Sequence, residues 1–268
     1  MSIDLYLNQA FAQHALLAAG LVSIACGLIS PFVVARGMAF AVHGTSELAF
    51  TGAAAGLLVA HNPVAGAFAG ALVVATVLGT LGNKEHERDS TIGVILAFGL
   101  GLGVLFLSYY HGFATQATNI LFGNIFGVSN DQLLVLVTVC VGVLLAMLYI
   151  YRPLLFASVD PEVAEAKGVP VRALGLVFLF ILALTVTSAA QIVGTLLVLS
   201  LAITPAAAAQ RLTTGPFAIT MLSVLFALSA SVGGILASLA SGTVKPSIFV
   251  TSISFAIYIF ARTFTRFA

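Results

Sequence analysis

The chain has 268 residues, of which 60% are hydrophobic and 7% charged, and its mean hydropathy is +1.15. So few charges cannot cover a water-soluble globule of this length, which leaves a polytopic membrane protein. A formal net charge of +1 with no basic block gives no footprint for nucleic acid, and the absence of GxxxxGK[ST] excludes ATP binding through a P-loop of the chain's own.

Taken in order, apolar runs long enough to cross or nearly cross a bilayer fall at about 14–35, 46–60, 64–82, 91–110, 131–151, 172–190, 192–210, 217–238 and 247–265. The start of the chain carries neither the basic region nor the small-residue cleavage site of a signal peptide, so the first span is expected to be retained. The run at 46–60 is short, and the run at 192–210 follows its predecessor almost without a loop. One of the runs is therefore expected to be broken or re-entrant inside the bundle. Pro205, within the seventh run, should break or kink it and free backbone carbonyls. The segment from about Thr118 to Val128 is apolar but too short to span, which fits a re-entrant or interfacial helix. Close-spaced glycines, Gly52 with Gly56, Gly66 with Gly70 and Gly99 with Gly103, predict faces where helix backbones approach. Cys26 and Cys140 lie in separate apolar runs and are read as buried thiols, neither a disulfide nor a metal pair.

Charge placement sets the orientation. With the N-terminus outside and alternating spans, Arg36, Lys84, Arg88, Arg152, Lys167, Arg172, Arg211, Arg262 and Arg266 all fall on the cytoplasmic side, with Lys245 alone outside. The C-terminus is then cytoplasmic. So is the stretch Asp160 to Pro170, which carries a helix signal outside any apolar run. Asp160 is placed to cap it and Pro161 to occupy its first position. Glu162 complements the positive end and Lys167 the negative end, after which Gly168 stops the helix and Pro170 prevents resumption. A helix of about two turns is unstable alone in water, so it is expected to be held by its flanking spans and to dock on a partner.

Among the acidic residues Glu47 alone falls away from a plausible loop or interface position. It stands four residues after His43, so a helix places imidazole and carboxylate on one face. A carboxylate within a span is costly unless it is paired or faces an aqueous path. Imidazole with carboxylate suits a borderline divalent cation such as zinc and also serves manganese; the plainer reading is that Glu47 reaches the cytoplasmic interface and His43 is solvated. His61 and His111 fall at external turns, His14 near the outer interface of the first span, and His86 in the alternating-charge connector Lys84 to Asp89, each read as a solvated residue.

Several stretches together resemble the permease subunits of the zinc and manganese ABC importers, the metal-uptake branch of the ABC transporters. Arg36-Gly37-Met38-Ala39-Phe40 with Ser46-Glu47-Leu48-Ala49-Phe50-Thr51-Gly52 resembles that family's R-R/G-M-x-F-x-G-D-x-x-S-H-A-x-x-P-G. Leu121 to Val128 is similar to its L-F-G-D-I-L-G-V, and Asp160 to Val171 to its cytoplasmic coupling helix. Val193 to Val198 with Thr204 to Ala207 resembles the span that follows. The resemblance covers nearly the whole chain, as one permease domain over residues 1–268. It implies an all-α bundle of about eight or nine transmembrane helices with a short cytoplasmic coupling helix, in the bacterial plasma membrane.

The resemblance further implies a homodimer of permeases, cytoplasmic ATP-binding subunits that receive the coupling helix through Asp160, Pro161, Glu162, Glu165 and Gly168, and an extracytoplasmic metal-binding protein. The expected function is uptake of a divalent transition metal as cargo, zinc favoured and manganese or iron the alternative, with no covalently bound cofactor and no catalytic residue on this chain. A stand-alone secondary transporter using Glu47 for proton coupling, and a wide ABC pathway for a metal chelate, are the other readings. Where the family has Asp and, four residues later, His, this chain has His43 and Glu47 in swapped order. Asn124 stands in place of another Asp, and Ser241 to Pro246 lacks an external one.

Overall fold

The computed structural model describes residues 9–80, 85–110, 119 and 123–267, with side chains left out at 85–91, 196 and 265–267. The described elements are all helical. They are α1 (Ala10–Ala35), α2 (Ala39–Ala60), α3 (Pro63–Thr80), α4 (Glu85–Ser108), α5 (Asn130–Val159), α6 (Pro161–Ala166), α7 (Val171–Val193), α8 (Leu199–Ala202), α9 (Thr204–Leu212), α10 (Pro216–Ser241) and α11 (Pro246–Phe267). Single 3-10 turns at Ile125–Gly127 and Thr195–Leu197 lie between them.

Six described helices, α1, α3, α5, α7, α10 and α11, are long and apolar enough to cross a membrane. The other three expected runs are helical for stated reasons of a different kind. α2 is 22 residues long but carries His43, Thr45, Ser46 and Glu47, so its apolar content is diluted. In α4 only Ile92–Ser108 is apolar. The run at 192–210 is interrupted as expected. α7 stops at Gly194, whose φ of 95° suits glycine, and α8 and α9 are separated at Ile203 just ahead of Pro205. Of the expected re-entrant segment, residues 118 and 120–122 lie outside the described residues, and the described remainder holds one 3-10 turn.

The break in the seventh run lies inside the bundle, where water cannot complete its backbone. The Ser30 hydroxyl, from α1, donates to the Ile203 carbonyl and accepts from the Ala206 N–H, both at 3.3 Å. From α11 the Ser254 hydroxyl donates to the Ser200 carbonyl at 2.6 Å.

The glycine faces do what their spacing predicts, and they do it against each other. A Cβ on Gly66 would meet the Gly56 Cα at 2.7 Å and the Gly52 carbonyl closer still, so α2 and α3 pack backbone to backbone. Gly99 and Gly103 of α4 receive Leu48, Phe50 and Thr51 of α2, with the Thr51 hydroxyl donating to the Gly99 carbonyl at 2.7 Å. α2 is thereby clamped between α3 and α4. Cys26 and Cys140 are free, buried thiols.

Candidate functional site

His43 and Glu47 lie one turn apart in the first half of α2. Glu47 is 5% exposed, within electrostatic reach of the His43 imidazole. The His43 Nδ1 is buried with no hydrogen-bond partner, while the ring leans toward Phe40 at 6.4 Å between centroids. The His43 Nδ1 is thus a buried imidazole nitrogen that no protein group meets, one turn from a buried carboxylate. Among the described residues no group of three or more His, Cys, Asp and Glu is placed to hold a metal ion. His61 is exposed at the end of α2 and His14 is half-buried in α1. His111 and the side chain of His86 lie outside the described residues.

At the end of the bundle carrying Arg36, the Asp160 segment forms the helix its sequence predicts. The Asp160 carboxylate accepts from the Val163 N–H at 3.0 Å and Pro161 opens α6. Gly168, with φ of 82°, closes it, its N–H reaching the Glu165 carbonyl at 2.9 Å. Within α6 only Ala164 is buried, so Asp160, Pro161, Glu162, Glu165 and Gly168 all face outward, as does Val159 at 78% exposure. What fixes this short helix is its base. Arg36, just past α1, donates through Nε to the Ser158 hydroxyl at 2.8 Å, and its guanidinium lies over the Phe178 ring at 5.6 Å. The ends of α1 and α5 and the first half of α7 are thus tied together beneath α6.

The opposite end holds a cavity of about 230 Å³ between α2, the start of α3, the 3-10 turn at 125–127 and the end of α7. Thr187, Gln191, Thr195 and Asn124 line it. Sequence reasoning did not single out the first three. Each is a neutral polar residue in a largely apolar run, and the relation that joins Asn124 to Gln191, a backbone N–H to carbonyl bond at 3.3 Å, spans distant parts of the chain.

The chain matches the ABC 3 transport family over residues 8–265. It belongs to that family. The manganese transport system membrane protein MntC of Halalkalibacterium halodurans is 32% identical over 233 residues, 87% of this chain and 80% of that protein. The high-affinity zinc uptake system membrane protein ZnuB of Haemophilus influenzae is 27% identical, over 92% of this chain and 96% of its own length. Among solved structures, PsaBC from Streptococcus pneumoniae in complex with Fab superposes with a TM-score of 0.86 at 28% identity, covering 97% of this chain and 93% of the other. An inward-facing putative metal-chelate type ABC transporter shares the fold, with a TM-score of 0.69 at 16% identity. As an ABC 3 permease the chain is a multi-pass transport subunit and not an enzyme, and ATP hydrolysis lies on a separate partner.

Proposed function

We propose that this permease carries a divalent transition metal ion into the cell, with His43 and Glu47 as ligands in its path. The observation that carries the reading is the buried, unpartnered His43 Nδ1 one turn from the buried Glu47 carboxylate. One imidazole and one carboxylate leave a borderline cation's remaining positions to water or another ligand, and so bind it without enclosing it. Conduction needs such an open site, because an ion held by a complete cage does not leave. The donor set admits zinc, the expectation from the sequence, and manganese, toward which most of the named relatives lean.

In this reading residues 1–268 form one permease domain that works as two copies, beside two ATP-binding subunits and an extracytoplasmic metal-binding protein. α2, α4 and the broken α8–α9 pair enter the membrane together with the six long apolar helices, for eight or nine crossings. The N-terminus is outside, and α6 meets the cytoplasm. Asp160, Pro161, Glu162, Glu165 and Gly168 shape the contact with the ATPase, so that nucleotide binding there moves α6 and switches the permease between two rigid-body states. The outward exposure of α6 and its tied base support that role.

Cellular metal content, measured by mass spectrometry in a deletion strain under manganese and then zinc limitation, tests the pathway. Wild type should restore one metal, and His43→Ala and Glu47→Ala should each abolish the restoration while the protein still reaches the membrane. Uptake that survives both substitutions removes the pair from the path. Failure of the purified permease to associate with its ATPase, α6 intact, would sink the coupling role.

A further inference from the structure

Arg36 stands at the corner between α1 and α2, and the corner is closed. The Arg36 N–H donates to the Phe32 carbonyl at 3.0 Å, that of Gly37 to Val34 at 3.2 Å and that of Met38 to Val33 at 2.9 Å. Gly37 takes a φ of 62°, the left-handed residue that lets the last two bonds form together. Met38 is buried and gives its own carbonyl to the Val42 N–H at 3.0 Å as α2 begins. All three residues between the helices therefore bond back into α1, and the two helices meet in a stiff corner. His43 lies five residues beyond Met38, about 7–8 Å along α2.

The Arg36 side chain ties this corner to the base of α6. Its Nε donates to the Ser158 hydroxyl, which in turn donates to the Leu154 carbonyl at 2.6 Å and stands two residues before the Asp160 cap. The ring of Phe178 beneath the guanidinium is fully buried. It packs on Phe32 at 6.0 Å, and Phe32 meets Tyr151 edge-on at 5.4 Å. Close-packed rings of α1, α5 and α7 transmit a displacement instead of absorbing it. Arginine suits this place because one planar group donates to a hydroxyl and stacks on a ring at once, which an ammonium does not.

α2 is held unevenly. Its far half meets the backbone of α3 at Gly52 and Gly56. Nearer the corner, its neighbour at Gly44 is the side chain of Ile92, which can shift where a backbone cannot. Farther along, α2 and α7 stand on either side of the cavity. Motion entering at the corner is thus taken up in the near half of α2, where His43 and Glu47 stand.

We propose that Arg36 is the positioning residue through which α6 acts on the metal pair. A shift of the α6 base on nucleotide binding passes through Arg36 into the closed corner and tilts the near half of α2. Because His43 and Glu47 share one face, both donors are presented or withdrawn together. The proposal rests on the reading of α6 as the ATPase contact and of the pair as the path.

Hydrogen exchange on the permease–ATPase complex in lipid nanodiscs, with and without a non-hydrolysable ATP analogue, tests the relay. In the wild type the analogue should change exchange at Val163 and Ala164 of α6 and at Val42 and His43 of α2. Arg36→Lys retains the charge but not the fork; it should keep the α6 response and lose that of α2. In proteoliposomes holding the complete importer, manganese(II) or zinc(II) imported per ATP hydrolysed should fall about tenfold in Arg36→Lys. Ser158→Ala, which removes one of the two holds on the guanidinium, should lie between.

A wild-type α2 response in Arg36→Lys overturns the relay, as does loss of import and hydrolysis in equal proportion, the mark of a merely structural role. If α6 responds in the wild type and α2 does not, the relay alone falls. An α6 that ignores nucleotide removes its coupling role and the relay with it. Import that survives His43→Ala and Glu47→Ala removes the pair from the path and overturns the proposed action on it.

Discussion

Ser30 and Ser254 reach the interrupted backbone between α7 and α9 and complete it, one at 3.3 Å and the other at 2.6 Å. A short way along the same stretch, Thr187, Gln191 and Thr195 present buried polar atoms that nothing in the protein meets. The residue types are nearly the same and both groups lie in the membrane region. The difference is whether a neighbouring helix supplies a partner. The first arrangement is how an irregular backbone survives in a bilayer; the second leaves hydrogen-bonding capacity unused. Polar residues in apolar spans therefore divide by their partners, not by their chemistry.

Substitutions sharpen that division, beginning with the most disruptive. Gly66→Val would push a side chain into the Gly52 carbonyl and Gly56 backbone, where backbone cannot yield. Loss of folded protein from the membrane fraction is expected, and normal accumulation would show that the α2–α3 contact is dispensable. Ser254→Ala removes the donor that completes the break at Ser200 and should lower stability by about 1 kcal/mol. Thermal unfolding in detergent reads this, with uptake per folded molecule unchanged.

Asp160→Ala removes the cap of α6 and should cost about 1 kcal/mol, confined to that helix. Hydrogen exchange at Val163 and Ala164 should rise while the spans stay protected, and permease-stimulated ATP hydrolysis should fall. Thr187→Val is the counterpart of Ser254→Ala and should have the smallest effect on stability, within about 0.5 kcal/mol of wild type, because it deletes a hydroxyl with no partner. If it destabilised the protein as much as Ser254→Ala, the two regions would not differ in the way described.

Much of the architecture could be read from local chemistry. Asp160, Pro161 and Gly168 mark both ends of α6 because caps depend on a few adjacent residues. The paired glycines predicted close packing without naming partners, and Pro205 located the break. The Ser129 cap of α5, with Gln132 three residues on completing a capping box, carried the same kind of signal but went unread beneath the apolar run that follows. α2 begins before the apolar run at 46–60 because His43, Gly44 and Thr45 hide its first turns from any hydropathy reading.

For the candidate site, His43 and Glu47 were visible because an acid in a span is rare. The cavity was not, since Thr187 and Gln191 are unremarkable alone and acquire meaning only when Asn124 folds onto α7. That contact depends on a loop geometry set by two glycines with positive φ, which no spacing rule reports.

The tie at Arg36 makes the short helix α6 into the handle of a lever. Through Ser158 and Phe178 it grips α5, α7 and the end of α1 at once, so a load applied to α6 is shared among three members and not absorbed in a loop. Ser30 lies six residues back along α1, about 9 Å, with its hydroxyl hooked to the break at Ile203. Axial travel of α1 would therefore tug at a place where the helical backbone is already interrupted, and a small stroke at the base would become movement of α9.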